Sequence, residues 1–453
     1  MQQLHPSIHS KDLPSFTDPL HLRKDHDSDP PSDSEEYSSS ASDSGFSSSS
    51  PPTLQLSDHG DASTLSESSR DPIPRNMTVL DIRSKSVESM ADSAHLARVV
   101  AQTLSTRETV FPASSARFDA EQNGKRAFNN YNNNTAGVST PIQDVLVRSI
   151  PTLVLYDDNG LDIFNDITHV DEYYITNAEM QIFKDKSDEI AQAHVGNNGV
   201  LIELGVGSMR KTRYLLDAIV SQNKSVTYYA LDLSAQSLTQ SLQPLALQFP
   251  SIKFVGLLGT YDDSLLYIKD HLARDNGSTR TLLWLGTSIG NTTRKEAAEF
   301  LERVKRLAMQ DGDVLLCGID RRNDASVVKT AYDDPKGVTR AFILNGLRHV
   351  ERIFGGETGE LFPLSKFEYV SLYNADLGRH EAYYRSLEKQ RVEVDVDSLP
   401  HVFEFEEGEL IFIEYSIKYD AEDIKRLMDQ SGLRWAKEWL DQTERYSLHC
   451  FAK

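Results

Sequence analysis

The sequence has few of the features that mark a secreted scaffold, a membrane protein or a nucleic-acid surface. Two cysteines in 453 residues, Cys317 and Cys450, sit far apart in apolar, strand-like runs. A disulfide framework is excluded on that basis, and both thiols are expected as inert core residues in a reducing compartment. No apolar run approaches transmembrane length, and Met1-Gln2-Gln3-Leu4-His5 carries no secretory apolar core, so a cytoplasmic protein without a membrane partner is expected. Basic charge is scarce: 47 Lys and Arg against 68 Asp and Glu leave a net charge of −21, and no basic tract offsets it. Non-specific nucleic-acid binding, which draws on clustered Lys and Arg, is thereby excluded. His380, His401 and His449 are scattered, and no spacing of His, Cys or carboxylates suits a metal, so none is expected.

What is present falls into two parts. Residues 1 to about 75 are rich in Ser, Asp and Pro, with Ser38-Ser39-Ser40 and Ser47-Ser48-Ser49-Ser50 close to Asp33, Glu35 and Glu36. Such a stretch cannot bury enough surface to offset its ordering entropy, and a disordered tail is expected, with a phosphorylated docking tail as the alternative. Order is expected from Val79-Leu80-Asp81-Ile82. A polar insertion over about 100–140, including Asn129-Asn130-Tyr131-Asn132-Asn133-Asn134, precedes a further ordered run at Ile142 to Ile150.

From about Pro151 short apolar runs alternate with longer amphipathic ones, the pattern of a parallel sheet flanked by helices. Strands are predicted at Val200 to Leu204, Thr227 to Leu231, Lys253 to Leu257, Thr281 to Leu285 and Val314 to Gly318. Arg294 to Met309 places Ala297, Ala298, Phe300, Leu301, Val304, Leu307 and Ala308 on one helical face. Glu409 to Tyr419 reads as a strand, Ala421 to Gln430 as a helix and Tyr446 to Ala452 as a last strand. That order matches the strand, helix, antiparallel strand ending of a Rossmann-like methyltransferase sheet.

Open sheets of this kind bind ligands beyond the carboxyl ends of their strands. The first predicted strand runs into Glu203-Leu204-Gly205-Val206-Gly207, and the second ends at Asp232. Gly205 and Gly207 permit a sharp turn and a close ligand approach. A dinucleotide loop would carry a third Gly where Arg210 stands, and a Walker loop would place Gly directly before Lys211-Thr212. Asp232 can accept from two ribose hydroxyls. The set points to S-adenosylmethionine, and the Rossmann-like methyltransferase class follows. Later strand ends bring Gly259-Thr260-Tyr261 and Gly286-Thr287-Ser288-Ile289-Gly290-Asn291 to the same lip. With no metal spacing, a metal-dependent O-methyltransferase is disfavoured.

Leu155-Tyr156-Asp157-Asp158-Asn159-Gly160, Glu172-Tyr173-Tyr174-Ile175-Thr176-Asn177-Ala178-Glu179, Glu203-Leu204-Gly205, Leu285-Gly286-Thr287-Ser288-Ile289-Gly290-Asn291 and Ile413-Glu414-Tyr415-Ser416 together carry a family resemblance. Over roughly residues 78 to 453 the chain resembles the histidine-specific Nα-methyltransferases of ergothioneine biosynthesis, a family with fungal relatives acting on tryptophan or dimethylallyltryptophan. The resemblance implies cofactor contacts from Gly205, Lys211, Asp232 and Tyr261, and the glycine motif and the strand ends add Glu203, Gly207 and Thr260 as expected cofactor residues. It implies that Tyr156 lines the junction of cofactor and substrate, and that Tyr173, Gly286, Asn291 and Tyr332 hold the α-amino and α-carboxylate groups. Glu414 and Ser416, two apart and so on one strand face, fall where the histidine enzymes grip the ring.

A smaller lid domain is also implied. The expected division is a tail over 1–75, lid segments over 76–180 and 326–408, the core over 181–325, and its completion over 409–453. Where bacterial relatives place a Met beside the imidazole, Arg379-His380-Glu381-Ala382-Tyr383-Tyr384 offers a small residue, room for an indole or a prenylated indole. The expected substrate is an aromatic amino acid, its ring left open, and the protein a monomer or homodimer. The module stands without the sulfoxide-synthase domain that fungal ergothioneine enzymes fuse to it, which favours a role in specialised metabolism. The alternatives are a catalytically silent cofactor-binding protein, a methyltransferase for another small amine, or one acting on protein lysine or nucleic acid.

Overall fold

A computed structural model of the chain describes residues 73–83, 93–106, 108–111, 145–207, 209–272 and 279–453. The Ser-rich segment through residue 72, most of the polar insertion and Ser208 of the glycine motif lie outside the described residues. Strands run in chain order as β1 (Met77–Asp81), β2 (Glu108–Phe111), β3 (Val145–Ser149), β4 (Gly199–Leu204), β5 (Val226–Asp232), β6 (Lys253–Leu258), β7 (Arg280–Trp284) and β8 (Val314–Asp320). They continue as β9 (Phe367–Asn374), β10 (Arg379–Ser386), β11 (Gln390–Val396), β12 (Leu399–Phe405), β13 (Leu410–Ile417), β14 (Arg434–Leu440) and β15 (Tyr446–Ala452). The helices are α1 (Ser93–Ser105), α2 (Asp158–Ile167), α3 (Tyr174–His194), α4 (Thr212–Ser221) and α5 (Ala235–Gln248). After them come α6 (Tyr261–His271), α7 (Arg294–Leu307), α8 (Ala325–Tyr332), α9 (Val338–Ile353) and α10 (Ala421–Ser431).

The large sheet has eight strands in the order β1-β6-β5-β4-β7-β8-β15-β14. From β1 to β8 all neighbours are parallel, and β15 and β14 add antiparallel pairs at the far side. Parallel strands covered on both faces need continuous apolar sequence. β8, with every residue from Val314 to Asp320 buried, is the extreme case. β4 pairs with β5 on one side and β7 on the other, so the winding reverses there and opens a crevice at their carboxyl ends. This is the α/β, Rossmann-like methyltransferase architecture that the alternating pattern predicts.

A small sheet in the order β2-β3-β13-β10-β9 and a β11–β12 hairpin complete the strands, and β13 meets the turn after β7 where Gly290 lies against Ile417. Capping boxes start several helices sharply: Thr260 with Asp263 for α6, Thr293 with Glu296 for α7 and Asp420 with Asp423 for α10. Each such cap contributes about 1 kcal/mol.

The structure departs from the sequence reading in three places. The strand expected at Glu409 to Tyr419 pairs as β13 with β3 and β10 in the small sheet, not with the core. The core's antiparallel ending is β14 and β15 instead; β14, exposed along most of its length, shows no apolar alternation to announce it. The stretch taken as polar insertion begins inside α1, which buries Val100, Ala101 and Leu104, and β2 follows it. β1 belongs to the large sheet as a parallel edge strand on β6, outside the lid segment assigned to it. Asn76, just before β1, donates from Nδ2 to the carbonyls of Ala246, Phe249 and Ile252 at 3.0, 3.3 and 2.9 Å and locks that edge in place.

Candidate active site

The carboxyl ends of β4 to β7 form a lip made largely of main chain. Gly205, Gly207 and Gly286 all take positive φ, 76°, 51° and 71°, which a side chain would strain. A Cβ at Gly205 would stand 3.2 Å from the Tyr261 hydroxyl, and one at Gly286 would stand 3.3 Å from Lys211 Nζ. A Cβ at Gly207 would meet nothing within 4 Å, so the loop borders open space there. Asp232 closes β5, and burial raises its carboxyl above the ordinary value against the pull of the Ser234 and Leu233 N–H groups. Tyr261 lies edge-on to Trp284, ring centroids 6.1 Å apart, which stands it under the glycine turn.

Two of the expected cofactor residues turn out to be engaged locally. Glu203 is fully buried and accepts from Thr212 Oγ1 at 2.7 Å and the Tyr228 hydroxyl at 2.6 Å; burial pushes its carboxyl up to about 7. Its other oxygen, Oε1, is buried without a hydrogen bond. Thr260 spends its hydroxyl and its main-chain N–H on the α6 capping box with Asp263, and its carbonyl accepts from the Ser264 N–H at 3.1 Å.

One face of the small sheet forms a wall opposite the lip. Ala382 pairs across from Glu414, and His380 across from Ser416, so all four side chains share a face. Ala382 is wholly buried. Burial pushes Glu414 up to about 7 while Lys418 pulls it down. Tyr332, at the end of α8, donates to Ser416 Oγ at 2.8 Å and stacks on the His380 ring at 4.2 Å. Tyr173, just before α3, stands edge-on to Tyr332 at 5.9 Å. Tyr156 joins wall to lip: after burial, the groups that raise its hydroxyl are Glu414, Tyr173, Tyr261 and Tyr332. Asn291 ends the turn over Ser288–Asn291 and is exposed.

That turn connects the two sheets. Gly290 lies against β13, where a Cβ would stand 2.8 Å from the Ile417 carbonyl. Thr287 Oγ1 accepts from the Asp320 N–H at 3.0 Å.

Several charged residues of the site escaped the sequence reading. Glu179, fully buried on α3, accepts from the Gly286 N–H at 3.0 Å and from the Tyr446 hydroxyl at 2.7 Å, and pairs with Lys211. Lys418 and Asp320 form a fully buried ion pair behind Tyr332. Lys418 lies two residues beyond Ser416 on the same alternation, the one signal that could have found it.

A family model described as "Histidine-specific methyltransferase, SAM-dependent" matches residues 137–453, most of the chain. The chain belongs to this family. It is 38% identical over 310 residues to Ergothioneine biosynthesis protein 1 of Neurospora crassa, covering 68% of this chain and 33% of that protein. Histidine N-alpha-methyltransferase of Mycolicibacterium smegmatis is 34% identical over 301 residues, covering 66% and 89%. The 4-dimethylallyltryptophan N-methyltransferase easF of Trichophyton verrucosum is 33% identical over 298 residues, covering 64% and 85%. Near-equal identity to the last two means that overall similarity does not choose the ring. The chain spans only 33% and 39% of the two ergothioneine biosynthesis proteins it matches.

S-adenosylmethionine is this methyltransferase family's cofactor, and the residues present fit it. The glycine turn borders open space at Gly207, and the Asp232 carboxylate ends the neighbouring strand as an acceptor for hydroxyls. Among the described residues no group of three or more His, Cys, Asp or Glu gathers as metal ligands do, and no helix is long and apolar enough to cross a membrane.

Proposed function

We propose that the chain is an S-adenosylmethionine-dependent N-methyltransferase acting on the α-amine of an aromatic L-amino acid, with tryptophan, dimethylallyltryptophan and histidine as the candidates. The observation that carries this reading is the wall: Glu414 and Ser416 on one face of β13, the small side chain of Ala382 across from Glu414, and Tyr332 bonded to Ser416. Gly205, Gly207, Lys211, Asp232, Thr260 and Tyr261 would hold the cofactor, which when bound supplies an electrophilic methyl group on sulfonium.

The protein's part is alignment. Asn291 can donate to the substrate carboxylate, and the Tyr173 oxygen can accept from its amine. Burial holds the Tyr173 and Tyr332 hydroxyls well above their ordinary value, so both stay protonated and neither acts as a strong base. The ammonium proton therefore leaves through solvent or a hydroxyl relay. Orientation of this kind accounts for roughly 7–11 kcal/mol of a barrier. Glu414 accepts a ring N–H, and the small side chain of Ala382 across from it is the position that limits ring size. The lid and core division, and a single chain or a pair of copies as the working unit, belong to the same proposal.

The test is mass spectrometry of the purified chain with S-adenosylmethionine and, separately, histidine, tryptophan, tyrosine and dimethylallyltryptophan, beside Asn291→Ala. One N-methylated product, lost in the variant, is expected. Cofactor binding with no methylated product from any of the four would overturn the proposal in favour of the silent binding protein.

A further inference from the structure

Behind Tyr332 the structure holds a charge that no ligand can reach. Lys418 Nζ lies 2.5 Å from Asp320 Oδ2, 2.8 Å from the Tyr332 hydroxyl and 3.0 Å from Ser416 Oγ. An ammonium has three donors, and these three acceptors use them all. Lys418 has no proton left for a substrate, so it is not a binding residue. It also sits 4.6 Å from the centroid of the Tyr332 ring, which pins that ring between the ammonium and His380.

Tyr332 accepts from Lys418 and donates to Ser416. Ser416 accepts from both, so its two acceptor positions are filled and its own O–H is the one polar function left to offer. Two residues along the same face stands Glu414, an acceptor when ionised.

Asp320 anchors the arrangement to the large sheet. It closes β8, accepts from the Tyr174 hydroxyl at 2.8 and 3.0 Å and from Asn323 Nδ2 at 3.3 Å, and its N–H donates to Thr287. One ion pair thus ties β8, the turn that ends at Asn291, the start of α3 beside Tyr173, the end of α8 and the end of β13. Burying two charges is costly, and well-packed apolar residues of the same volume commonly serve stability as well or better. A stability role alone does not account for the pair.

We propose that Lys418, anchored by Asp320, is a positioning residue that turns the Ser416 hydroxyl into a donor toward the cleft, fixes Tyr332, and supplies the positive charge facing Glu414. This rests on the proposed function for its substrate. The other titratable groups that face Glu414 are the hydroxyls of Tyr156, Tyr173, Tyr332, Tyr369 and Tyr384, all held protonated by burial. His380, across from Ser416, is kept neutral by burial and by Lys418. The cation acting on Glu414 is Lys418.

Removing Lys418 alone strands a buried carboxylate, so the test pairs Lys418→Met with Asp320→Asn and compares it with Lys418→Gln/Asp320→Asn, whose amide restores donors without charge. For the Met/Asn pair, KM for the amino acid is expected to rise roughly 10- to 100-fold with KM for the cofactor within about twofold, and the Gln/Asn pair to recover part of the loss. The Glu414 carboxyl, followed by infrared difference titration against Glu414→Gln, is expected to titrate at higher pH in both pairs. A folded Met/Asn variant with unchanged amino-acid KM and unchanged Glu414 titration overturns the proposal, as does one in which both KM values rise together. A wild-type chain that methylates no amino acid sinks the proposed function instead, and the infrared titration then decides the role of Lys418 by itself.

Discussion

The lip is built from main chain and the wall from side chains, and the two present their ligands with different problems. At the lip, Gly205, Gly207 and Gly286 hold positive φ, so what the turns present is peptide groups with few degrees of freedom. At the wall, Glu414, Ser416, Tyr332 and Tyr173 are polar side chains whose protons are set by buried neighbours such as Lys418. Main chain gives a fixed imprint suited to one invariant ligand. Side chains can be exchanged one at a time, so the wall is where relatives with different rings can differ while the lip stays the same.

Three substitutions separate the two surfaces, in falling order of effect. Gly205→Val forces a branched residue to a φ of 76° with its Cβ 3.2 Å from the Tyr261 hydroxyl. Cofactor affinity by calorimetry is expected to fall roughly 100-fold or more, from backbone strain and overpacking together. Tyr332→Phe should do the reverse, raising KM for the amino acid roughly 10-fold while leaving cofactor affinity unchanged, since it removes a hydroxyl shared by Lys418 and Ser416. If it weakens the cofactor equally, lip and wall are not separable. Ala382→Leu adds bulk at a wholly buried position across from Glu414. A bicyclic ring should lose roughly 10-fold in kcat/KM relative to a single five-membered ring, measured by competition between two substrates.

The smallest effect is on stability. The Glu203 carboxyl sits at about 7 in the folded chain against an ordinary 4.5. The folded state therefore holds this proton more tightly than the unfolded chain does, so its contribution is present below the ordinary value and is lost as pH rises through about 7. Glu203→Gln should flatten that decline and gain on the order of 1–3 kcal/mol near pH 8 in denaturant unfolding without cofactor. An unchanged pH profile would mean that Glu203 is ionised at no cost.

The lip was largely legible because its signals are local: an apolar strand, a glycine turn, a carboxylate one strand later. β4 to β8 follow from the same unbroken apolar runs. The wall was legible only in part. Glu414 and Ser416 stood out by resemblance, and Glu179 lay in a motif without a role, but Lys418 and Asp320 are buried charges from distant segments, and a lone charged residue in sequence reads as solvated. β13 went to the wrong sheet because apolar alternation reports burial and not the partner, and β14 left no trace because an exposed edge needs none. Glu203 was read as facing the ligand, although one of its oxygens is spent on Thr212 and Tyr228.

The parallel strand β1, held by the Asn76 clamp, has a practical consequence for anyone shortening the chain. The family match begins at residue 137, so a protein trimmed to that boundary would shed β1 and bare the outer edge of β6 from Phe254 to Leu258. A row of open N–H and C=O groups on an apolar strand invites a second copy to dock edge to edge. Such a trimmed protein should form sedimenting assemblies, whereas one begun near residue 73 should stay dispersed.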